Sequence, residues 1–314
     1  MRASVRARAL RRISALTFRP VIDLIPVTPS TIPAARIFID NVLRTVAPML
    51  RDTVVAAVRG DEVRGEWIRG PRVVRDDAAI LYVHGGGFVA GSARAYRGIT
   101  SRLSAATRLP VFAVDYRLAP EHPFPAASED VSAAYRWLLA QGFPAERIIV
   151  AGDSAGGYLA ADFVITNARE GGPRPAALVL LCPMTDLSLT AANAHETAQR
   201  DGLLTISAVT AAIAHFTTEP RELRPRRGMS LPPTLIHAGD EEFFTGDATA
   251  LAAGLHAAGA SCELVLWPNQ MHVFHVFAAM VPEARIAYRG AARFIDRHLD
   301  PATDVSGSPR STAQ

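Results

Sequence analysis

Cysteine is scarce in this chain: two residues, Cys182 and Cys262, among 314. They sit in separate apolar runs, "LVLLCP" and "SCELVLW". Two cysteines without a short spacing form neither a zinc pattern nor a disulfide framework, which points to a reducing, cytoplasmic setting. Long apolar runs are missing as well. Nothing approaches the ~18 uninterrupted apolar residues that a membrane-crossing helix needs. The first twenty residues carry the charge of a signal n-region, but Arg11 and Arg12 interrupt any apolar core behind it. An excess of one charge is missing too. The formal net charge is only +3, and much of it lies in Arg2, Arg6, Arg8, Arg11, Arg12 and Arg19. The clustered basic face with interleaved aromatics that nucleic acid requires is absent. A basic end of this kind faces water or makes weak contact with a membrane surface.

What is present is ample core material. Apolar residues make up 49% of the chain and charged residues 20%, enough for one large domain or two small ones. No fixed-period repeat or long linker occurs. Short Leu-rich and β-branched runs at 79–84, 111–115, 148–152, 178–182, 234–238 and 262–267 predict strands. They lack period-2 alternation, the pattern of strands buried on both faces. Helical patterns near 95–107, 126–140, 155–169, 246–258 and 283–298 separate them. This alternation predicts a mostly parallel sheet with helices on both faces. Two regions break the rhythm and read as additions to that sheet. One is 1–50, helix-like with breaks at Pro20, Pro26, Pro29 and Pro33; the other is 186–228, with a helical stretch at 205–217. The polar residues 301–314 predict a disordered tail.

The strand at 148–152 runs into "GDSAGGYLAA", a G-x-S-x-G pattern of Gly152, Ser154 and Gly156. Alone the pattern is weak, and a Gly-rich helix N-cap would look the same. The preceding strand and the small residues Gly152, Ala155, Gly156 and Gly157 favour a strained strand-to-helix turn that lifts the Ser154 hydroxyl to the carboxyl end of the sheet. A second motif, "YVHGGGFVAGS", follows the strand at 79–84. Consecutive glycines let backbone N–H groups converge on one point, as acyl transfer requires where negative charge develops on a carbonyl oxygen. No lysine follows and no G-x-G-x-x-G spacing occurs, so a phosphate loop does not fit. Ser154 is therefore the expected nucleophile, with the N–H groups of Gly85, Gly86 and Ala155 as the expected oxyanion hole.

A serine nucleophile needs a base, and the base needs an orienting carboxylate, in the chain order Ser, Asp or Glu, His. His237 lies within a strand, His256 within a helix, and His195 and His298 are badly placed. "WPNQMHVFH" follows the last strand and holds His272 and His275. His272, nearer the strand, is the expected base. The carboxylate should come from "GDEE", where Asp240, Glu241 and Glu242 stand side by side after the 234–238 strand. Pattern and chemistry select this loop but not the residue.

These motifs together resemble the hormone-sensitive-lipase-like group of α/β-hydrolases, the family IV carboxylesterases. The resemblance rests on "HGGGF" at 84–88, "DYRLAPEHPFPAA" at 115–127, "GDSAGGYLA" at 152–160, "PPTLIHAG" at 232–239 and "HVF" at 272–274, and covers roughly 75–300. It implies an eight-stranded, mostly parallel sheet with a helical cap. The corresponding organisation is a cap segment at 1–50, core at 51–185, a cap insertion at 186–228 and core again at 229–300. It implies hydrolysis of short-to-medium acyl esters without cofactor or metal. It also places Glu242 in the catalytic register and Phe244 as the anchor behind it, with Asp240 the runner-up. Asn269, Gln270 and the basic stretch 219–233 depart from the family pattern. Asp115, Tyr116, Arg117 and Glu121 are expected to tie loops beneath the glycine turn. An amide hydrolase or deacetylase on the same triad, or a hydrolase-fold binder without turnover, is the alternative. The free edge at the last strand leaves room for a homodimer.

Overall fold

The computed structural model describes residues 3–24, 26–194 and 201–300. The tail at 301–314 and His195 lie outside the described residues. The strands are β1 (Val54–Arg59), β2 (Arg64–Arg69), β3 (Ala79–Val83), β4 (Val111–Val114), β5 (Ile148–Asp153), β6 (Ala177–Leu181), β7 (Thr234–Gly239) and β8 (Cys262–Trp267). They form one eight-stranded sheet in the order β1-β2-β4-β3-β5-β6-β7-β8. β2 is antiparallel to both of its neighbours, and the remaining pairs are parallel. The helices are α1 (Val5–Leu24), α2 (Ile32–Val46), α3 (Arg97–Thr107), α4 (Ala126–Ala140), α5 (Ser154–Arg169), α6 (Thr190–Ala194), α7 (Ile206–Phe216), α8 (Thr245–Ala257) and α9 (Pro282–Leu299). Among the described residues, no helix is long and apolar enough to cross a membrane.

Strand periodicity sorts the core into two layers. Leu81, Val83, Phe112, Val114, Val150, Leu178, Leu180 and Ile236 point to one side, where they meet Val131, Leu138, Leu159 and Leu251 of α4, α5 and α8. Ile80, Tyr82, Val111, Ile149, Val179 and Leu235 point to the other, against Ile99, Leu103, Tyr288 and Ile295 of α3 and α9. β3 to β7 are buried on both faces, as their unbroken apolar runs predict.

Three sequence expectations need correction. β8 alternates between half-buried and exposed over most of its length, because it is an edge strand with one face toward water. β1 and β2 are two strands beyond those expected: β1 has a short apolar run, "VVAAV", yet lies largely exposed at the opposite edge, and β2 beside it carries Arg64, Glu66 and Arg69 in place of an apolar run. Pro20 lies inside α1 rather than ending it. The carbonyl that Pro20 leaves without a donor belongs to Leu16, on the exposed side of the helix and open to solvent. Pro33, by contrast, stands in the first turn of α2, where a missing N–H costs nothing.

The loops that matter here emerge at the carboxyl ends of β3, β5, β7 and β8. Parallel strands bring these ends to the same side of the sheet, although the loops lie far apart in sequence. The segment "DYRLAPE" supports the first of them. Asp115 Oδ1 accepts from the N–H of Ala93 at 2.6 Å, the Tyr116 hydroxyl donates to the His84 carbonyl at 2.9 Å, and Glu121 pairs with Arg36 of α2. Arg36 also donates to the carbonyls of Val89 and Ala119, so α2 is strapped to the glycine loop. Arg117 pairs with Glu129 and Asp130.

Candidate active site

β5 is buried throughout and ends in Asp153; α5 begins on the next residue, Ser154. Ser154 has φ 52°, a left-handed conformation that L-residues adopt only under constraint. Close packing imposes it. A Cβ on Gly152 would collide with the Gly156 carbonyl, and one on Gly156 would collide with the carbonyls of Val83 and His84. The small residues of the motif are therefore required by the approach of β3 and α5 to the turn.

His272 follows β8, and Glu242 follows β7. His272 Nε2 lies 2.8 Å from Ser154 Oγ, and His272 Nδ1 lies 2.6 Å from Glu242 Oε2. All three side chains are buried, Glu242 completely. With Nδ1–H donating to Glu242, Nε2 is left to accept the Ser154 proton. Burial depresses the basicity of His272, but the charge and hydrogen bond of Glu242, helped by Asp201 and Asp153, outweigh it and hold the imidazole above the ordinary 6.5.

The three adjacent acids have three different partners. Asp240 Oδ1 accepts from the N–H of Asn269 at 2.7 Å, Glu241 pairs with Arg11 of α1, and Glu242 meets His272. Phe243 and Phe244 behind them are fully buried, and Phe244 packs edge-on against the His272 ring at 5.3 Å. Asn269 has φ 52°, a conformation asparagine tolerates better than most residues, so its presence in this turn is accounted for.

The glycine loop differs from expectation at one position. The N–H of Gly85 donates to Asp153 Oδ1 at 3.1 Å and is thus engaged within the protein. Among the described residues, the N–H groups of Gly86 and Gly87 have no protein acceptor. Both adopt positive φ, 112° and 63°. Ala155, in the first turn of α5, has an N–H that the helix cannot satisfy.

The family pattern of the alpha/beta hydrolase fold matches residues 80–276. An esterase LipU of Mycobacterium tuberculosis is 36% identical over 272 residues, which span 82% of this chain and 91% of the relative. An acetyl-hydrolase of Streptomyces hygroscopicus is 38% identical over 236 residues, 73% of this chain and 78% of that protein. The crystal structure of an esterase from the bacterial hormone-sensitive lipase family superposes with a TM-score of 0.85 at 32% identity, covering 95% of this chain and all of the other. The chain belongs to the hormone-sensitive-lipase-like α/β hydrolases.

Around its serine, this hydrolase has supports that sequence reasoning missed. Asp201 is fully buried; its Oδ2 accepts from the N–H groups of His272 and Phe243, both at 3.2 Å. One carboxylate thus pins the loops that carry His272 and Glu242. Its only sequence signal is "DGLL" before a helix, which reads as an ordinary turn. Asp153 is the second support. Besides Gly85 it accepts from the Tyr82 hydroxyl at 2.7 Å, so it links the glycine loop to the serine turn. Burial pushes its carboxyl up to about 6, against the hydrogen bond from Tyr82 and the charge of His272.

The other histidines lie elsewhere in the hydrolase. His275 is buried, with Nε2 3.4 Å from Nδ1 of His237 and the two rings stacked at 3°. Burial lowers both, His237 to about 4 and His275 well below its ordinary value, so they stay neutral. His215 Nε2 contacts the Val27 carbonyl, His256 Nε2 the Cys262 carbonyl, and His298 packs edge-on against Phe294. Among the described residues, one group has metal-ligating side chains within 4.8 Å of each other: Cys182, Glu242 and His272. Two of them already pair together. Burial, then the charge of Glu242, raises the Cys182 thiol well above its ordinary value, so it is neutral and a poor ligand. A cavity of about 360 Å³ opens between Phe124, Tyr158, Leu187, Phe216 and Arg221, and none of Ser154, Glu242 and His272 lines it.

Proposed function

We propose that this hydrolase is a serine carboxylesterase acting on short-to-medium acyl esters through an acyl-enzyme on Ser154. The observation that carries the reading is the continuous hydrogen-bonded chain from Ser154 Oγ through His272 to the buried Glu242. His272 Nε2 takes the Ser154 proton as Oγ attacks the acyl carbon. Glu242 holds the imidazole in the tautomer that presents Nε2 and stabilises the imidazolium that forms. The imidazolium returns its proton to the departing alcohol. Water then attacks the acyl-enzyme with His272 again as base, and Ser154 is regenerated with release of the acid.

Negative charge on the tetrahedral oxygen needs fixed donors. Gly86, Gly87 and Ala155 are the proposed set, since Gly85 already serves Asp153. Gly85 then acts indirectly, by anchoring the loop that presents its two neighbours. The helices before β1 and the 186–228 segment are the proposed cap; α1 packs against α7, and Ser207 donates to Asp23 at 2.8 Å. Removal of an acetyl group is the activity named for the Streptomyces relative, which favours the short end of the acyl range.

Hydrolysis of p-nitrophenyl esters of rising chain length tests the reading, with Ser154→Ala alongside. Turnover should be highest for short acyl chains, and the variant should lose about 10⁵–10⁶-fold. Equal inertness of both proteins across the series would remove the esterase assignment. A p-nitroanilide with the same acyl group separates ester from amide hydrolysis.

A further inference from the structure

α1 is oriented opposite to a helix whose sole task is to cover a core. Its buried positions, Ala7 and Ser14, are small. Leu10 packs inward and Ile22 is half-buried, but other large aliphatic residues face outward: Val5 is 72% exposed, Ile13 55%, Leu16 80% and Leu24 80%. With Ala9 and Pro20, also exposed, they recur at spacings of three and four and so form one stripe along the helix. On α2, Ile37 and Phe38 are exposed as well, at 67% and 48%. Single exposed apolar side chains are ordinary; a stripe of them rimmed by cations is an interaction surface.

The rim is basic. α1 carries five arginines and one acid. Arg6, Arg8 and Arg12 are exposed, and at 100° per residue they flank the stripe. The acid, Asp23, accepts from Ser207. The remaining arginines hold the helix in place. Arg11 pairs with Glu241, and Arg19 donates to the Asp201 carbonyl at 2.8 Å. Ser4, just before the helix, donates to Glu283 from both its backbone and its hydroxyl. The outer face is thereby fixed relative to the loops that carry Glu242 and His272.

We propose that this face of α1 docks the protein on an anionic lipid surface. Val5, Ile13, Leu16 and Leu24 enter the boundary between headgroups and acyl chains, and Arg6, Arg8 and Arg12 meet the phosphates. An apolar stripe with flanking arginines is the composition of an interfacial helix. Charge complementarity selects the partner. A second copy joined symmetrically through the same face would set arginine against arginine, whereas an anionic leaflet attracts every one of them.

Co-sedimentation of the full-length protein with phosphatidylcholine vesicles, with and without phosphatidylglycerol, tests this. Binding is expected to the anionic vesicles and to weaken as salt is raised. The double variant Ile13→Ser/Leu16→Ser should lose it. Arg6→Gln, Arg8→Gln and Arg12→Gln should each weaken it roughly fivefold. Unchanged hydrolysis of soluble p-nitrophenyl acetate shows that the variants are folded. Absence of wild-type binding to anionic vesicles, or equal binding by the double variant, overturns the proposal. So does a wild-type dimer in analytical ultracentrifugation that the double variant lacks, which would give the stripe to a second copy. The readout is binding rather than turnover, so its failure leaves the esterase reading untouched.

Discussion

Glu242 Oε2 lies 2.6 Å from His272 Nδ1, across a gap of thirty residues in the chain. The two acids before it are turned away, Asp240 to the backbone of Asn269 and Glu241 to Arg11. Parallel β7 and β8 bring the two loops together, and the burial of Phe243 and Phe244 fixes the direction in which Glu242 points.

Exchange of the three acids should therefore give three different results. Glu242→Gln keeps the shape but no longer holds the required tautomer, and kcat on p-nitrophenyl butyrate should fall about 10³–10⁴-fold. Asp240→Asn and Glu241→Gln should stay within about tenfold of wild type, since neither touches the imidazole. A larger loss for Asp240→Asn than for Glu242→Gln would move the triad acid two positions back.

The pH profile follows from His272. Turnover needs the neutral imidazole, and Glu242 holds its pKa above 6.5 despite burial. Activity should thus be lost as pH falls, with the acid limb of kcat/KM centred above 6.5. Removing the carboxylate charge in Glu242→Gln should move the limb of the residual activity to lower pH. A limb that stays in place in that variant would assign the titration to another group.

Asp153 should show a separable effect. Asp153→Ala leaves the N–H of Gly85 and the hydroxyl of Tyr82 without their buried acceptor, at about 1–3 kcal/mol each. Urea denaturation should register that loss, and kcat should fall as the glycine loop loosens. Asp153→Asn keeps an acceptor oxygen and should be milder. A carboxyl raised in the folded state stabilises most when protonated, and that contribution fades as pH rises through about 6. The stability deficit of Asp153→Asn relative to wild type should therefore shrink as pH rises from about 4 to about 6 and stay shrunken above that.

Histidine exchange checks the base. His272→Ala should abolish turnover by about 10⁵–10⁶-fold. His275→Gln, three residues on, should retain activity, because that ring meets His237 and Phe274 rather than Ser154. Equal losses in both would leave the base unassigned.

At the glycine loop, Gly86→Ala places a Cβ against the Ala90 carbonyl at a φ of 112° and should cost both stability and kcat. Gly142, also at positive φ but in open space, is the control: Gly142→Ala should leave kcat unchanged. Comparable kcat losses at both positions would separate the effect from the oxyanion.

The central strands, the serine turn, the glycine loop and the His272 loop were legible in the sequence because each depends on local demands. Continuous apolar runs mark β3 to β7, small residues mark a strained turn, and chain order places acid before base. β1 and β2 were not legible: the apolar run of β1 is short and stands outside the strand-helix rhythm, and the charged residues of β2 break any apolar pattern. The passage of α1 through Pro20 depended on which side of the helix met water.

Within the site, the sequence by itself marked the loops that meet at Ser154, and family register pointed to Glu242 as the carboxylate beside His272. Only the tertiary structure showed how the neighbouring acids are employed, because partners such as Arg11 and Asn269 reach them from remote segments. The same holds for Asp201 and Asp153, whose residue types are unremarkable in an aligned string of letters. Gly85 and Gly87 are equivalent as sequence. They differ in the fold because β5 brings a carboxylate within 3.1 Å of one N–H, while the other has no acceptor among the described residues. A hydrogen bond is decided by distance and direction, and neither exists until the sheet has aligned its strand ends.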